Sequence, residues 1–319
     1  MAESCKPAVL AVAGPTASGK TGLGVFLARE LGCEIISTDS MQIYCGLNVG
    51  TAKVTPEEMQ GIPHHCLDIR TPDQPFSVAD FVELANAKAA EILSHGKIPL
   101  LVGGTGLYLE SFLKGVRFAP DKTDPFIRQA LAQELETYGA EEMYRRLQEI
   151  DPEAASATHP NNTVRVLRAL EHYRATGQTL SQQRKQSLPE ERPYRSLVFG
   201  LDFPDRDQLY QRINRRVDLM IEQGLLPEAL QVYEHRDTYR TAAQAIGYKE
   251  FFPYFAQESA LEPCVEKLKQ SSRQYAKRQL TWFRRMDEVV WLDAGAPDVK
   301  EKALAQARQF LQQAEGGSL

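Results

Sequence analysis

The sequence predicts an α/β fold, with a mainly parallel sheet flanked by helices and an all-helical insertion. Short apolar runs rich in Val, Leu and Ile recur at 8–13, 33–38, 98–102, 196–203 and 289–292, each with the length of a buried parallel strand. Amphipathic helical stretches alternate with these runs. Between 117 and 195 the strand runs stop and only helical patterns remain.

The first strand runs into Gly14-Pro15-Thr16-Ala17-Ser18-Gly19-Lys20-Thr21, which fits G-x-x-x-x-G-K-[ST]. A helix follows, with Leu23, Phe26, Leu27 and Leu31 on one side. In this pattern Gly14 and Gly19 let the backbone curl so that successive N–H groups face inward. Lys20 reaches the bound phosphates, Thr21 offers its hydroxyl to Mg²⁺, and the helix N-terminus adds its dipole. A plain glycine-rich turn would not require Lys20-Thr21. The core is therefore expected to be P-loop NTPase-like, with a site for a di- or triphosphate. Kinases, NTPases and enzymes that expel pyrophosphate all have use for such a cradle.

The remaining elements follow in order. The strand at 33–38 ends at Asp39-Ser40-Met41-Gln42, and ligands of open α/β sheets bind outside the carboxyl ends of strands, which puts Asp39 near the phosphate loop. Residues 44–53 read as a loop. Residues 55–60 open a short helix, with Thr55 as N-cap and Pro56 at the first position. A short strand is expected at 64–70 and a long helix at 77–95, stopped by Gly96. The strand at 98–102 ends in Gly103-Gly104-Thr105-Gly106, which marks either close approach of backbone to ligand or a tight turn. In the insertion, helices are expected at 124–138, 140–149 and 162–175, between turn signals such as Tyr138-Gly139 and Asp151-Pro152. Arg165, Arg168, Arg174, Arg184 and Lys185 make it locally basic. After strand 196–203 come helices at 205–223 and 226–235, a glycine-aromatic-basic turn at 246–249, a long helix at 261–285, a strand at 289–292 and a terminal helix at 297–314. The expected division is thus a catalytic core of 1–116 and 196–319 and a helical insertion domain of 117–195.

No run of 18 apolar residues is present, so no membrane span is expected, and the N-terminal apolar run is the first strand rather than a signal peptide. The five cysteines are scattered with no C-x-x-C, as in reduced thiols of a cytoplasmic protein. His64-His65-Cys66 is not expected to hold a metal, because neighbours on an extended segment point to opposite faces. The net charge of −5 argues against indiscriminate nucleic-acid binding. From Lys267 to Arg285, however, there are seven basic residues and no acidic ones, which points to a local polyanion-binding surface.

Eight stretches, in this order, resemble the motifs of the tRNA dimethylallyltransferases: GPTASGKT (14–21), STDSMQIY (37–44), VGTAK (49–53), PHHCLDI (63–69), LLVGGTGLY (100–108), HPNN-x-x-R-x-x-RALE (159–171), AIGYKE (245–250) and AKRQLTWFRR (276–285). The chain carries Lys249 where some members have Arg. It ends soon after the last helix, without a zinc-finger extension, as in the bacterial form. The resemblance implies transfer of a dimethylallyl group from dimethylallyl pyrophosphate to N6 of the adenosine 3′ of the anticodon, with Mg²⁺ as cofactor, the tRNA anticodon stem-loop as partner, and a monomer.

That chemistry assigns roles. The loop N–H groups, Lys20 and Mg²⁺ held through Thr21 stabilise the leaving pyrophosphate. By resemblance Arg216 also contacts it, although a solvated helix arginine is the alternative. Asp39 is the candidate base for the adenine amine, or else an outer ligand of Mg²⁺. Thr105 holds the amine through its hydroxyl. Expulsion of the base from its stack has to be offset by contacts to tRNA. Arg273, Lys277 and Arg284 fall within about 40° on one helix face, a stripe suited to phosphates. Trp282 and Phe283 stack on bases or pack in the core. The resemblance extends tRNA contact to Arg128 and to Val164, Arg165, Val166, Leu167 and Arg168, with Arg278 and Gln279 on the basic helix. Ser40, Met41, Gln42 and the turn Gly247-Tyr248-Lys249 are further candidates for base contacts. Two other classes share parts of the pattern. A P-loop small-molecule or nucleoside kinase would share residues 8–40 but not the basic surfaces. A non-catalytic RNA-binding protein would have no use for Lys20, Thr21 and Asp39.

Overall fold

The structure, a computed structural model, describes residues 6–118 and 124–315. In chain order the core begins β1 (Ala8–Ala13), α1 (Lys20–Leu31), β2 (Cys33–Ser37), α2 (Pro56–Met59), β3 (His64–His65), α3 (Val78–Ser94), β4 (Ile98–Gly103) and α4 (Gly106–Lys114). Helices α5 (Pro125–Ile150), α6 (Pro152–Ser156), α7 (Thr163–Thr176) and α8 (Leu180–Gln186) follow. The chain then returns through β5 (Arg195–Asp202), α9 (Arg206–Glu222), α10 (Leu225–Glu234), α11 (Phe252–Phe255), α12 (Leu261–Phe283), β6 (Val289–Asp293) and α13 (Val299–Glu315). It divides into two compact units, Met1–Leu113 with Arg192–Leu319, and Lys114–Glu191.

In the first unit all six strands are parallel, in the order β3-β2-β4-β1-β5-β6. Strand alternation sorts the side chains to two faces. Val9, Ala11 and Ala13 of β1 pack with Phe81 of α3, Phe112 of α4 and Phe283 of α12. Leu10 and Val12 pack on the other face with Leu23 and Leu27 of α1 and Ala303 and Ala307 of α13. Both faces are covered, which is why the strands read as continuous apolar runs. A further core joins Tyr44, Leu47, Val217, Ala229, Tyr248 and Leu268. In the second unit Leu131, Met143, Leu147, Val166 and Leu170 form a core of their own. No helix among the described residues is long and apolar enough to cross a membrane.

Two details depart from the expected elements. The strand expected at 64–70 is only two residues long, because Cys66 and Asp68 have φ of 63° and 51° and turn the chain out of the sheet. Helices α6 and α8 are too short to register as a hydrophobic period, although each has its N-cap in place, Asp151 and Thr179. The break expected at Tyr138-Gly139 is present, since Gly139 is non-helical at φ 79°, ψ 169° and kinks α5. His64 Nδ1 lies 2.8 Å from the Ile62 carbonyl and His65 Nε2 2.8 Å from Glu34, so the two rings have separate partners.

Candidate active site

Parallel strands deliver the loops after β1, β2 and β4 to one edge of the sheet, beside the switch in strand order at β1. Gly14 has φ +148°, and a Cβ there would lie 2.7 Å from the Leu201 carbonyl oxygen. Gly19, at φ +91°, caps α1, so the helix opens directly on the loop. Within the loop the Lys20 ammonium donates to the Pro15 carbonyl at 2.6 Å. Two arginines one turn apart on α9 join it. Arg212 donates from Nε to the Ala17 carbonyl at 2.9 Å, and Arg216 donates to Thr16 Oγ1 at 3.4 Å. Burial, and then the Arg216 charge, lower Lys20 to a pKa of about 7, against the pull of Asp39. Burial likewise holds Arg216 below its ordinary value, opposed by Asp39 and Glu58. Two neighbouring half-buried cations form a site that favours a polyanion.

Asp39 follows β2 in an Asx turn, its Oδ1 accepting from the backbone N–H groups of Met41 at 2.9 Å and Gln42 at 3.3 Å. Thr105, in the loop after β4, bonds the residues on either side of Asp39. Its Oγ1 accepts from Ser40 N–H at 3.1 Å and donates to Ser40 Oγ at 3.3 Å, while its own N–H donates to the Thr38 carbonyl at 3.1 Å. The glycines here serve close approach between protein segments. A Cβ on Gly103 would lie 2.3 Å from Thr38 Oγ1, and one on Gly104 2.2 Å from Gln279 Nε2. Gln279, on α12, ties the phosphate loop to the glycine loop. Its Oε1 accepts from Thr16 N–H and its Nε2 donates to the Gly104 carbonyl, both at 2.9 Å.

The structure thus brings Gly14 through Thr21, Asp39, Thr105 and Arg216 together. It also adds Arg212 and Tyr275. The Tyr275 side chain hydrogen-bonds with Thr105 and Gln279, and burial, then the Asp39 charge, push its hydroxyl up to about 12. Both had a signal in the sequence, since each stands four residues before another site residue on one helix, Arg216 and Gln279 respectively.

Other sites expected to touch tRNA are placed differently. Tyr248 is fully buried, with its hydroxyl donating to Glu228 Oε1 at 2.8 Å, so it is a core residue and presents no ring to a base. Gln279 is 6% exposed and both ends of its amide are used within the protein. Val166 is buried in the core of the helical unit. Phe283 is fully buried, so for it core packing holds, while Trp282 is half-buried against the same core, its indole N–H donating to Glu110 at 2.9 Å. In the basic stripe, Arg273 donates to Asn214 at 2.5 Å and Arg284 pairs with Asp202 at 2.7 Å, while Lys277 is exposed. Arg278 lies over the Tyr275 ring at 5.6 Å, and Lys249 is exposed. In the helical unit Arg128 pairs with Glu171 at 3.1 Å. Val164, Arg165 and Arg168 are exposed on α7, with Leu167 half-buried.

The chain is similar to known proteins along nearly its whole length. The family model described as IPP transferase matches residues 42–286. A tRNA dimethylallyltransferase of Bacillus subtilis is 48% identical over 302 residues, covering 94% of this chain and 96% of that protein. The crystal structure of a full-length tRNA isopentenylpyrophosphate transferase from Bacillus halodurans superposes with a TM-score of 0.73 at 42% identity, covering 98% of this chain and 99% of that one. A eukaryotic dimethylallyltransferase acting on tRNA superposes at 0.81 with 30% identity, over 96% of this chain and 80% of that one. With half-buried cations at its phosphate loop, and relatives aligned along nearly its whole length, this chain belongs to the IPP transferase family.

Proposed function

We infer that this protein transfers a dimethylallyl group to tRNA, and we propose dimethylallyl pyrophosphate as donor and the exocyclic N6 of the adenosine 3′ of the anticodon as acceptor. One observation carries the reading: the half-buried Lys20 and Arg216 both donate within the phosphate loop, to the Pro15 carbonyl and Thr16 Oγ1, with Asp39 within electrostatic reach of each. Pyrophosphate would bind the loop N–H groups, Lys20 and Arg216. The adenine amine would meet Asp39 and Thr105. The bond from the allylic carbon to the bridging oxygen breaks, and the electron pair leaves with pyrophosphate. The N6–carbon bond forms, and the N6 proton passes to Asp39. Preorganised cations and N–H donors at the leaving oxygen are each worth roughly 10²–10³ in rate.

The exposed Thr21 hydroxyl, in the first turn of α1, fits Mg²⁺, which takes one or two protein oxygens and completes its shell with phosphate and water. Among the described residues there is no cluster of three or more His, Cys, Asp or Glu that could hold a metal ion. Bound there, Mg²⁺ neutralises charge on the leaving group. The helical unit, with Arg165 and Arg168 exposed, is proposed to bind tRNA, and so is Lys277 of the first unit.

The test is a mixture of protein, Mg²⁺, unmodified tRNA and either dimethylallyl pyrophosphate or ATP, followed by mass analysis of the tRNA nucleosides. A dimethylallyl increment on that adenosine, only with the allylic donor, is expected. No increment, with ATP converted to ADP, would overturn the reading.

A further inference from the structure

Two motifs, VGTAK and AIGYKE, are not accounted for by contact with substrate, and the structure joins them through one carboxylate. Glu228, on α10, accepts from three successive backbone N–H groups: Asn48 at 2.7 Å and Val49 at 2.9 Å on Oε2, and Gly50 at 2.8 Å on Oε1. The buried Tyr248 hydroxyl donates to the same Oε1 at 2.8 Å. The Tyr248 ring lies flush on Gly50, where a Cβ would come within 2.5 Å of Cε1. Gly247, at φ +109°, passes so close that a Cβ would sit 3.1 Å from the Gly50 carbonyl. The turn held in this way closes on itself, Ala52 N–H donating to Val49 and Lys53 N–H to Asn48, both at 2.9 Å. It contains Ala52 at φ 46°, a conformation costly for a residue with a Cβ.

The far side of this turn faces the active site. The Ala52 carbonyl accepts from Arg216 Nη2 at 3.5 Å and from Gln42 Nε2 at 3.2 Å, and Gln42 also reaches the Thr51 carbonyl at 3.2 Å. We propose that Glu228, with Tyr248, is a positioning residue for pyrophosphate binding: it fixes the 48–53 turn, and the turn's carbonyl orients Arg216 over the phosphate loop. This rests on the reading of Arg216 as a pyrophosphate ligand. The physical requirement is plain. A long side chain with a desolvated charge has several rotamers, and holding it in one lowers the entropy lost on binding.

The test uses the full chain, Mg²⁺ and inorganic pyrophosphate without tRNA, so that Gln42 contributes nothing as a base contact. Calorimetry is run on the wild type, Glu228→Gln, Arg216→Ala and the double variant, and amide exchange is read at 48–50. Glu228→Gln is expected to bind pyrophosphate about tenfold more weakly, with faster exchange at those amides. In the Arg216→Ala background it should add less than about twofold. The sign is diagnostic, because removal of a negative charge near an anion site would by itself tighten binding. Unchanged or tighter binding overturns the proposal, and so does an equal loss in both backgrounds. Arg216→Ala with unchanged pyrophosphate affinity overturns the reading of Arg216 itself. Should Glu228→Gln fail to fold, Tyr248→Phe keeps the ring on Gly50 and removes one bond. A loss of about twofold that disappears in Arg216→Ala supports the proposal, and no loss overturns it.

Discussion

Lys20 shows how a single residue is tuned by its surroundings. Burial and Arg216 lower its pKa to about 7, so in the free protein the ammonium gives up its proton as the pH rises past neutrality. The unfolded chain keeps that proton to about pH 10.4. Between these values the unfolded state binds more protons, so this group's contribution to stability rises with pH, and the full penalty of burying the charge is present below pH 7. Lys20→Met should therefore stabilise the free protein more at pH 6 than at pH 9, read as the shift in denaturation midpoint at each pH. The same variant should lose pyrophosphate binding. Asp39 makes the opposite kind of prediction. Asp39→Asn keeps an oxygen acceptor for the Met41 and Gln42 N–H groups but cannot take the amine proton. Transfer should fall by about 10²–10⁴, with tRNA affinity within a few-fold. Strong residual transfer in a single-turnover assay would remove Asp39 as base.

Among the elements, α12 does three different things along its length. Lys277 faces solvent, Gln279 ties two active-site loops together, and Phe283 fills the core under the sheet. Periodicity and charge made its basic face legible, but the family resemblance put Gln279 among the tRNA contacts. Whether a helix residue faces ligand or backbone depends on what lies one layer away, here Thr16 and Gly104, more than 170 residues distant in sequence. Gln279→Leu leaves Thr16 N–H and the Gly104 carbonyl without their partner, at a cost of about 1–3 kcal/mol. Its thermal midpoint should fall and its donor KM rise, while the salt dependence of tRNA binding stays unchanged.

At the scale of the whole molecule, a chain of net charge −5 carries its exposed cations in patches. The two units have separate cores, so substitutions on the surface of one should leave the other's ligand untouched. Arg165→Ala with Arg168→Ala lies on an exposed face of α7 and should change stability little. It should weaken tRNA binding and flatten its salt slope by about two phosphate contacts, with pyrophosphate affinity as in the wild type. Titration of tRNA binding across salt concentrations checks this, and an unchanged slope would place the two arginines away from the tRNA backbone.

The sequence by itself determined whatever depends on short-range spacing. Strand and helix alternation, the phosphate loop with its lysine and threonine, and Asp39 at a strand's carboxyl end all follow from runs of a dozen residues or fewer, where periodicity and turn chemistry act. Only the tertiary structure decided what depends on the partner across the fold. Glu228 has no motif of its own, yet it gathers three N–H groups from a loop about 180 residues earlier. Tyr248, an aromatic residue within a motif, is a core residue whose ring lies against Gly50, and the half-buried Trp282 lies as closely against Gly106. A linear pattern records that a glycine or an aromatic is present. Which of them meet is settled by the close packing of elements that local spacing does not encode.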